Sequence, residues 1–296
     1  MTAPALGIAL GSGAARGWAH IGVLNALAAR GLAPEIVAGA SIGSLVGAAA
    51  ATRQIDKLES WVRALSRTDV LKLLDARFRG GVIEGNRVMA AIEDLLSDGP
   101  IEGLDRHYAA VATDLRTGRE VWLRTGSLIA AVRASCALPG LFPPVRRDGR
   151  WLVDGGLVNP VPVSLCYAMG ADTVIAVNLN AHRRNRLDDR KRREPAERSG
   201  REEPGYLEKV AGLFDSLLSG SDEPTMLEVL SSAVNIMQER ITRSRLAGEP
   251  PAVELAPHVD LELMDFHRAD EAIEAGEKAV AAAAAALDDL QASLDR

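Results

Sequence analysis

Apolar positions follow two alternating rhythms through the first 180 residues. Short unbroken apolar runs, LGIAL and EIVAGA, are each followed by a longer stretch with apolar residues at helical spacing, ARGWAHIGVLNALAARG and SIGSLVGAAAATRQ. Short continuous runs predict buried strands, and the 3.6-residue spacing predicts helices. Strand, helix, strand, helix is a βαβ beginning, which implies parallel strands joined by a right-handed crossover. Further strands are predicted at YAAVATDL, REVWLRTG, RWLVDGG and DTVIAVNLN. VRRDGRWLV carries Asp148-Gly149 between two extended runs, a hairpin-turn signal.

From Ala181 to Glu203 both rhythms stop. HRRNRLDDRKRREPAERSGREEP holds nine Lys and Arg against six Asp and Glu. A solvated or disordered loop, locally basic by three, is expected there. Beyond it, YLEKVAGLFDSLL places Leu207, Val210, Phe214 and Leu217 at helical spacing, and EPTMLEVLSSAVNIMQERITRSRL predicts a second helix. Such stripes are expected to pack on the core; a lid or membrane-facing role for the 206–220 helix is the alternative. AVELAP predicts one more short strand, and the Ala-rich tail from Asp270 a helix. The expected organisation is an α/β core over 1–180, a charged loop over 181–205 and a helical part over 206–296 that packs on the core.

The chain has 296 residues, 47% hydrophobic and 25% charged, enough for a substantial core. Its net charge of −6 argues against nucleic acid as the main partner. It leaves a membrane open, because a local basic patch can dock on lipid. Two cysteines, Cys136 and Cys166, are too few for a disulfide framework and favour a reducing compartment. The N-terminus shows no basic segment followed by an apolar run, so no signal peptide is expected. The uncharged run from Ile36 to Thr52 is rich in Gly, Ala and Ser. It reads as a strand, a turn and a buried helix, whereas a membrane span wants about 20 apolar residues. The expectation is a cytoplasmic protein, at most peripheral to the inner membrane.

Candidate chemistry lies in two strand-to-helix loops. Gly39-Ala40-Ser41-Ile42-Gly43 is a G-x-S-x-G between a strand and a helix, the context of a nucleophile elbow. The second loop, GSGAARG, comprises Gly11, Ser12, Gly13, Ala14, Ala15, Arg16 and Gly17. Parallel neighbouring strands put both loops at the carboxyl edge of the sheet, where open α/β folds bind ligands. Backbone N–H groups of Gly13 and Ala14 could then face the oxygen of a carbonyl under attack, worth roughly 3–4 kcal/mol per donor. A dinucleotide site fits less well. Arg16 stands where the third glycine belongs, and Gly39-Ala40-Ser41 where a ribose-binding acid belongs. A phosphate-binding P-loop lacks its Gly-Lys-Ser/Thr.

A serine hydroxyl needs a base. His20, His107 and His182 read as structural or exposed, whereas His258 and His267 follow the serine in the order an α/β-hydrolase uses. An elbow on the second strand is early for that fold. Asp154, in WLVDGGLVNP, ends a strand and precedes Gly155 and Gly156, so its carboxylate projects from a strand end. An Asx-type turn cap is the other reading of that aspartate.

G-S-G-A-A-R-G, G-A-S-I-G and D-G-G, in this order and spacing, resemble the three signature blocks of patatin-like phospholipases. The likeness extends to WAHIGVL and ALPGLFPP, covers Leu6 to Asn180 well, and runs more loosely through MQERITRSRL to DFHRADEAIEAG. The resemblance implies a three-layer α/β/α patatin-like fold with a mostly parallel central sheet. It implies Ser41 as nucleophile and Asp154 as sole base. The first block would form the oxyanion hole, with Arg16 fixing the loop or adding positive potential. Ser12 and Ala14 depart from the glycines common there. The implied reaction is hydrolysis of lipid acyl esters through an acyl-enzyme, with a lipid or acyl-ester substrate, no cofactor and no metal. A non-catalytic lipid- or protein-binding regulator that keeps the fold is the alternative. An aspartate at its ordinary pKa is a poor base at pH 7, so apolar neighbours such as Leu138, Phe142 and Val153 must raise it.

Overall fold

In the computed structural model, residues 4–73, 86–181 and 226–295 are described. The predicted charged loop and the 206–220 helix lie outside them. By internal contacts the chain divides into a large unit, Met1–His182 with Met237–Arg296, and a small one, Arg183–Ile236.

In chain order the elements are β1 (Leu6–Leu10), a 3-10 turn (Ala14–Trp18) leading into α1 (Ala19–Ala29), β2 (Ile36–Ala40), α2 (Ile42–Ala51), α3 (Ile55–Arg63), α4 (Arg67–Leu73) and α5 (Asn86–Leu95). There follow β3 (His107–Asp114), β4 (Glu120–Leu123), α6 (Leu128–Ser135), β5 (Val145–Arg147), β6 (Arg150–Asp154), α7 (Val163–Ala168) and β7 (Thr173–Val177). The described C-terminal part contributes α8 (Met226–Gly248), β8 (Val253–Leu255), α9 (Ala269–Ala282) and α10 (Ala284–Leu294). Every strand predicted from the apolar runs is present. Two helical expectations change. The first helix begins as a 3-10 turn that carries Arg16 and Gly17, and the Ala-rich tail breaks at Ala283. After the break, Leu287 and Leu290 are buried in the same core as Ile273 and Val280.

Hydrogen bonds link the strands along the path β5-β6-β3-β2-β1-β7-β8, with β4 also on β3. Four of the seven pairings are parallel. Alternate residues feed two separate cores, as the two-residue period of a strand requires. Ile8, Leu10, Val37, Ala110 and Ile175 join the core built with α1, α2, α6 and α9; Ala9, Ala38, Val111 and Ala176 join the one built with α7. The apolar runs show no alternation because both faces are covered.

The register on β3 positions the site. Val111 pairs with Ala40 of β2 and with Trp122 of β4; Ala112 pairs with Val121 of β4 and with Asp154 of β6. A strand has two edges, so β2 and β6 share one edge of β3 and β4 takes the other. One arrives parallel and the other antiparallel, and their carboxyl ends meet at Val111 and Ala112. The β5–β6 hairpin turns at Asp148 and Gly149 with φ of 50° and 76°, the positive values that the favoured two-residue hairpin turn demands.

Helices α1 and α9 touch backbone to backbone. A Cβ on Gly22 would lie 1.9 Å from the Ile273 carbonyl oxygen, and one on Gly276 would lie 2.1 Å from that of Ala19. Gly276→Val is therefore expected to force the helices apart and cost about 1–3 kcal/mol of stability, read as a lower denaturant midpoint at unchanged m-value.

Candidate active site

Ser41 is the corner between β2 and α2. Its φ of 55° and ψ of −127° lie in a region that side chains avoid. The neighbours leave the chain no easier course. A Cβ on Gly43 would sit 2.1 Å from the Leu10 carbonyl oxygen, and one on Gly39 would sit 2.4 Å from that of Gly43. The Ser41 N–H donates to Ser135 Oγ at 2.9 Å, and the hydroxyl donates to Asp154 Oδ2 at 2.5 Å. The positive end of the α2 dipole faces this hydroxyl and favours negative charge there.

Asp154 ends β6 and is buried. Its Oδ1 accepts from the Gly156 N–H at 2.7 Å, so the turn-cap role exists beside the contact with Ser41, each on its own oxygen. Its backbone is pinned from both directions: its N–H donates to Ala137 O, and Thr113 Oγ1 donates to its carbonyl. At Gly155 a Cβ would meet the Val111 carbonyl oxygen at 2.1 Å, so the chain leaves the sheet hard against β3. Burial raises the Asp154 carboxyl from the ordinary 3.8 to about 6, and the bonds from Ser41 and Gly156 offset part of the rise.

The GSGAARG loop lies over the end of β1. Gly11 N–H donates to Val177 O, Ser12 N–H to Pro160 O, Ala15 N–H to Leu263 O and Arg16 N–H to Gly13 O. Among the described residues, the N–H groups of Gly13 and Ala14 have no acceptor. Ala14 holds φ at 48°, in the left-handed region that favours glycine. Arg16 reaches sideways to Leu179 O at 2.6 Å and Asn180 Oδ1 at 3.2 Å. Gly17 packs on Ile42, where a Cβ would come within 2.2 Å of Cγ2.

Three residues that the motifs did not single out, Ser135, Gln238 and His20, hold this arrangement. Ser135 accepts from the Ser41 N–H. Ser12 Oγ donates to Gln238 Oε1 of α8 at 3.1 Å. His20 is fully buried, and its Nε2–H donates to Gly11 O at 2.7 Å. Burial lowers the His20 pKa to about 4, so the ring is neutral, its proton on Nε2. The signal available for Gln238 was a pair of uncharged polar residues, Gln238 and Thr242, one turn apart on a face that is buried. Among the described residues, no histidine nitrogen is hydrogen-bonded to Ser41 or Asp154. His107 is exposed at the start of β3, and His182 lies outside the described residues.

Ser41 opens onto an apolar cleft of about 1010 Å³, open solvent included. Leu45, Trp61 and Ile92 line it from α2, α3 and α5; Cys136, Leu141 and Phe142 line it from the segment after α6. Burial raises the Cys136 thiol to about 12, which keeps it protonated and unreactive. Arg133 supplies the single charge among the described lining residues. Among the described residues, no group of three or more His, Cys, Asp or Glu is placed to hold a metal ion. No described helix is long and apolar enough to cross a membrane.

Known proteins resemble this chain. An uncharacterized NTE family protein of Mycobacterium tuberculosis is 32% identical, over 93% of this chain and 90% of its own. The human patatin-like phospholipase domain-containing protein 6 is 35% identical over 61% of this chain, which spans 14% of that protein. VipD from Legionella pneumophila superposes with a TM-score of 0.50 at 14% identity, covering 97% of this chain and 67% of that one, a likeness of fold alone. Residues 8–167 match the family described as Patatin-like phospholipase, and the chain belongs to that family.

Proposed function

We propose that the protein hydrolyses acyl esters of lipids with Ser41 as nucleophile and Asp154 as the single general base. The observation that carries this reading is the 2.5 Å bond to a buried carboxylate from the Oγ of Ser41, a residue that itself lines an apolar cleft. The ester seats its acyl chain in the cleft with its carbonyl over Ser41. As Oγ attacks, its proton passes to Asp154 Oδ2, and the carbonyl oxygen gains negative charge. The unused N–H groups of Gly13 and Ala14 are available to that oxygen, and Arg16, tied to Leu179 and Asn180, fixes the loop that carries them. Collapse of the tetrahedral adduct breaks the bond to the alcohol, which leaves with the proton from Asp154. Asp154 then takes a proton from water, the hydroxide attacks the acyl-enzyme, and the fatty acid departs as Oγ regains its proton.

Replacement of Ser41 by Ala or Asp154 by Asn is expected to lower kcat on a p-nitrophenyl acyl ester at least about 10³-fold. Ser41→Ala should also abolish labelling by a fluorophosphonate probe. Near-wild-type turnover in either variant, or an equal loss in His258→Ala or His267→Ala, would overturn the assignment. An intact chain that neither turns over nor labels would be a binding protein.

The Asp154 carboxyl must be ionised to act as base, so log kcat/KM should fall with unit slope below about pH 6. Stability runs the other way. The folded state keeps a proton on this carboxyl between the ordinary 3.8 and about 6, where the unfolded chain has lost it, so stability falls as pH rises through that window. Asp154→Asn removes the buried charge and keeps partners for both oxygen positions. It is expected to be more stable than wild type above pH 6 by on the order of 2–3 kcal/mol, with the gain vanishing below about pH 4. Urea titrations across that range read the difference.

If the cleft holds the acyl chain, kcat/KM on esters of increasing chain length should rise up to roughly fourfold per methylene until the cleft is full. A flat series would place the chain elsewhere.

A further inference from the structure

The β3–β4 turn and the β5–β6 hairpin form a surface unlike the rest of this acidic chain. Three of the seven large apolar side chains exposed among the described residues, Leu115 (54%), Trp151 (51%) and Trp122 (40%), lie here, including both exposed tryptophans. Pairing puts them on one face of the sheet: Leu115 N–H donates to Trp151 O, and Trp122 pairs with Val111, four residues before Leu115 on β3. The same two segments carry six arginines, at positions 116, 119, 124, 146, 147 and 150. Arg146 stacks over Trp151 with Cζ 5.9 Å from the ring centre, and Arg124 over Trp122 at 5.7 Å.

The nearby acids offset no more than half of this charge. Asp114 accepts from the N–H groups of Arg116 and Thr117, Glu120 is paired with Arg245, and Asp148 lies 3.8 Å from Arg147. Arg116, Arg119, Arg124, Arg146 and Arg150 form no salt bridge with a described carboxylate. The segments 114–124 and 145–151 together hold six arginines and three acids, a net of +3 on a chain of −6.

The position of this surface matters as much as its composition. Leu152 pairs with Asp114, so the hairpin continues past Ala112, where Asp154 sits, in the direction of the carboxyl ends of β1 and β2. Trp151 stands level with Leu115, four residues beyond the Ala40 level. At 3.3 Å per residue that is roughly 13 Å beyond Ala40, the residue before Ser41, along the strands. Pro143 lines the cleft, and β5 begins at Val145. The cleft wall therefore runs directly into the exposed hairpin.

We infer that the β3–β4 turn and the β5–β6 hairpin dock the protein on an anionic lipid bilayer. Tryptophan at the headgroup level buries an apolar body while its N–H stays wet, and guanidinium groups beside it meet lipid phosphates. Uncompensated arginine selects anionic over zwitterionic lipid. The exposed indoles and Leu115 fit a surface with an apolar interior better than they fit a nucleic acid. This surface is separate from Ser41 and Asp154, so binding does not rest on the catalytic reading.

The test uses the Ser41→Ala chain, with vesicle lipid assayed for released fatty acid in parallel so that binding is read apart from any hydrolysis. It is expected to sediment with phosphatidylcholine vesicles containing 30% phosphatidylglycerol, to leave pure phosphatidylcholine vesicles largely unbound, and to be released as salt rises. Arg146→Gln and Arg150→Gln should each weaken binding about fivefold, the factor for one basic residue at an anionic surface. Leu115→Ser with Trp151→Ser should weaken it further and remove the salt-resistant part. Unchanged thermal midpoints separate these losses from unfolding. Equal affinity for neutral vesicles, wild-type binding by these variants, no vesicle binding at all, or variants that instead dissociate an oligomer would each overturn the proposal.

Discussion

One edge of β3 receives two strands travelling in opposite directions, and the rest of the site depends on that arrangement. Because β2 and β6 both end against Val111 and Ala112, the residues at their carboxyl ends are brought together by sheet hydrogen bonds. No long side chain has to search for its partner. Thr113 adds a bond to the Asp154 carbonyl, and Ser135 adds one to the Ser41 amide. The hydroxyl and the carboxylate are thus set by the backbone, and their separation inherits the rigidity of a sheet buried on both faces. The residues that follow, Ile42-Gly43 and Gly155-Gly156, turn away at once, and backbone crowding leaves little choice of side chain.

The same burial that fixes this pair also sets its chemistry. An aspartate at the end of an exposed strand stays ionised and holds a proton poorly; this one is held near 6 by loss of water. The apolar wall of Leu138, Leu141 and Phe142 opens on the same serine. The carboxylate is shut off from water before any acyl chain enters, so its raised pKa belongs to the fold, and the cleft meets the pair only at the serine. The cost appears as conformational strain at Ser41 and Ala14, two non-glycine residues with positive φ, held in place by packing on either side.

Much of the fold was legible because buried strands announce themselves as short apolar runs and the turns between them carry Gly or Asp-Gly. LGIAL, EIVAGA and DTVIAVNLN read directly as β1, β2 and β7. The motif residues Ser41 and Asp154 were legible for the same reason: each follows a run that could only be a strand. The meeting of β2 and β6 on one edge of β3 was not, because register is a property of pairs and a single chain shows only one partner at a time. His20 read as structural or exposed, since nothing in WAHIGVL shows that its ring reaches back to the Gly11 carbonyl. The 3-10 start of the first helix was hidden too. GSGAARG continues smoothly into a helical pattern, and only the pull of Arg16 toward Leu179 and Asn180 tightens the turn.

The anchors of that first loop come from far along the chain. Val177, Leu179, Asn180, Gln238, Leu263 and the carbonyl of Phe266, which accepts from the Trp18 indole, are all made long after residues 11–18. During synthesis the ribosome therefore delivers the serine and aspartate strands well before the loop has anything to hold it. A nascent chain shorter than about 270 residues lacks the full set of ties, so synthesis of the segment through Phe266 is the event that sets the geometry above Ser41.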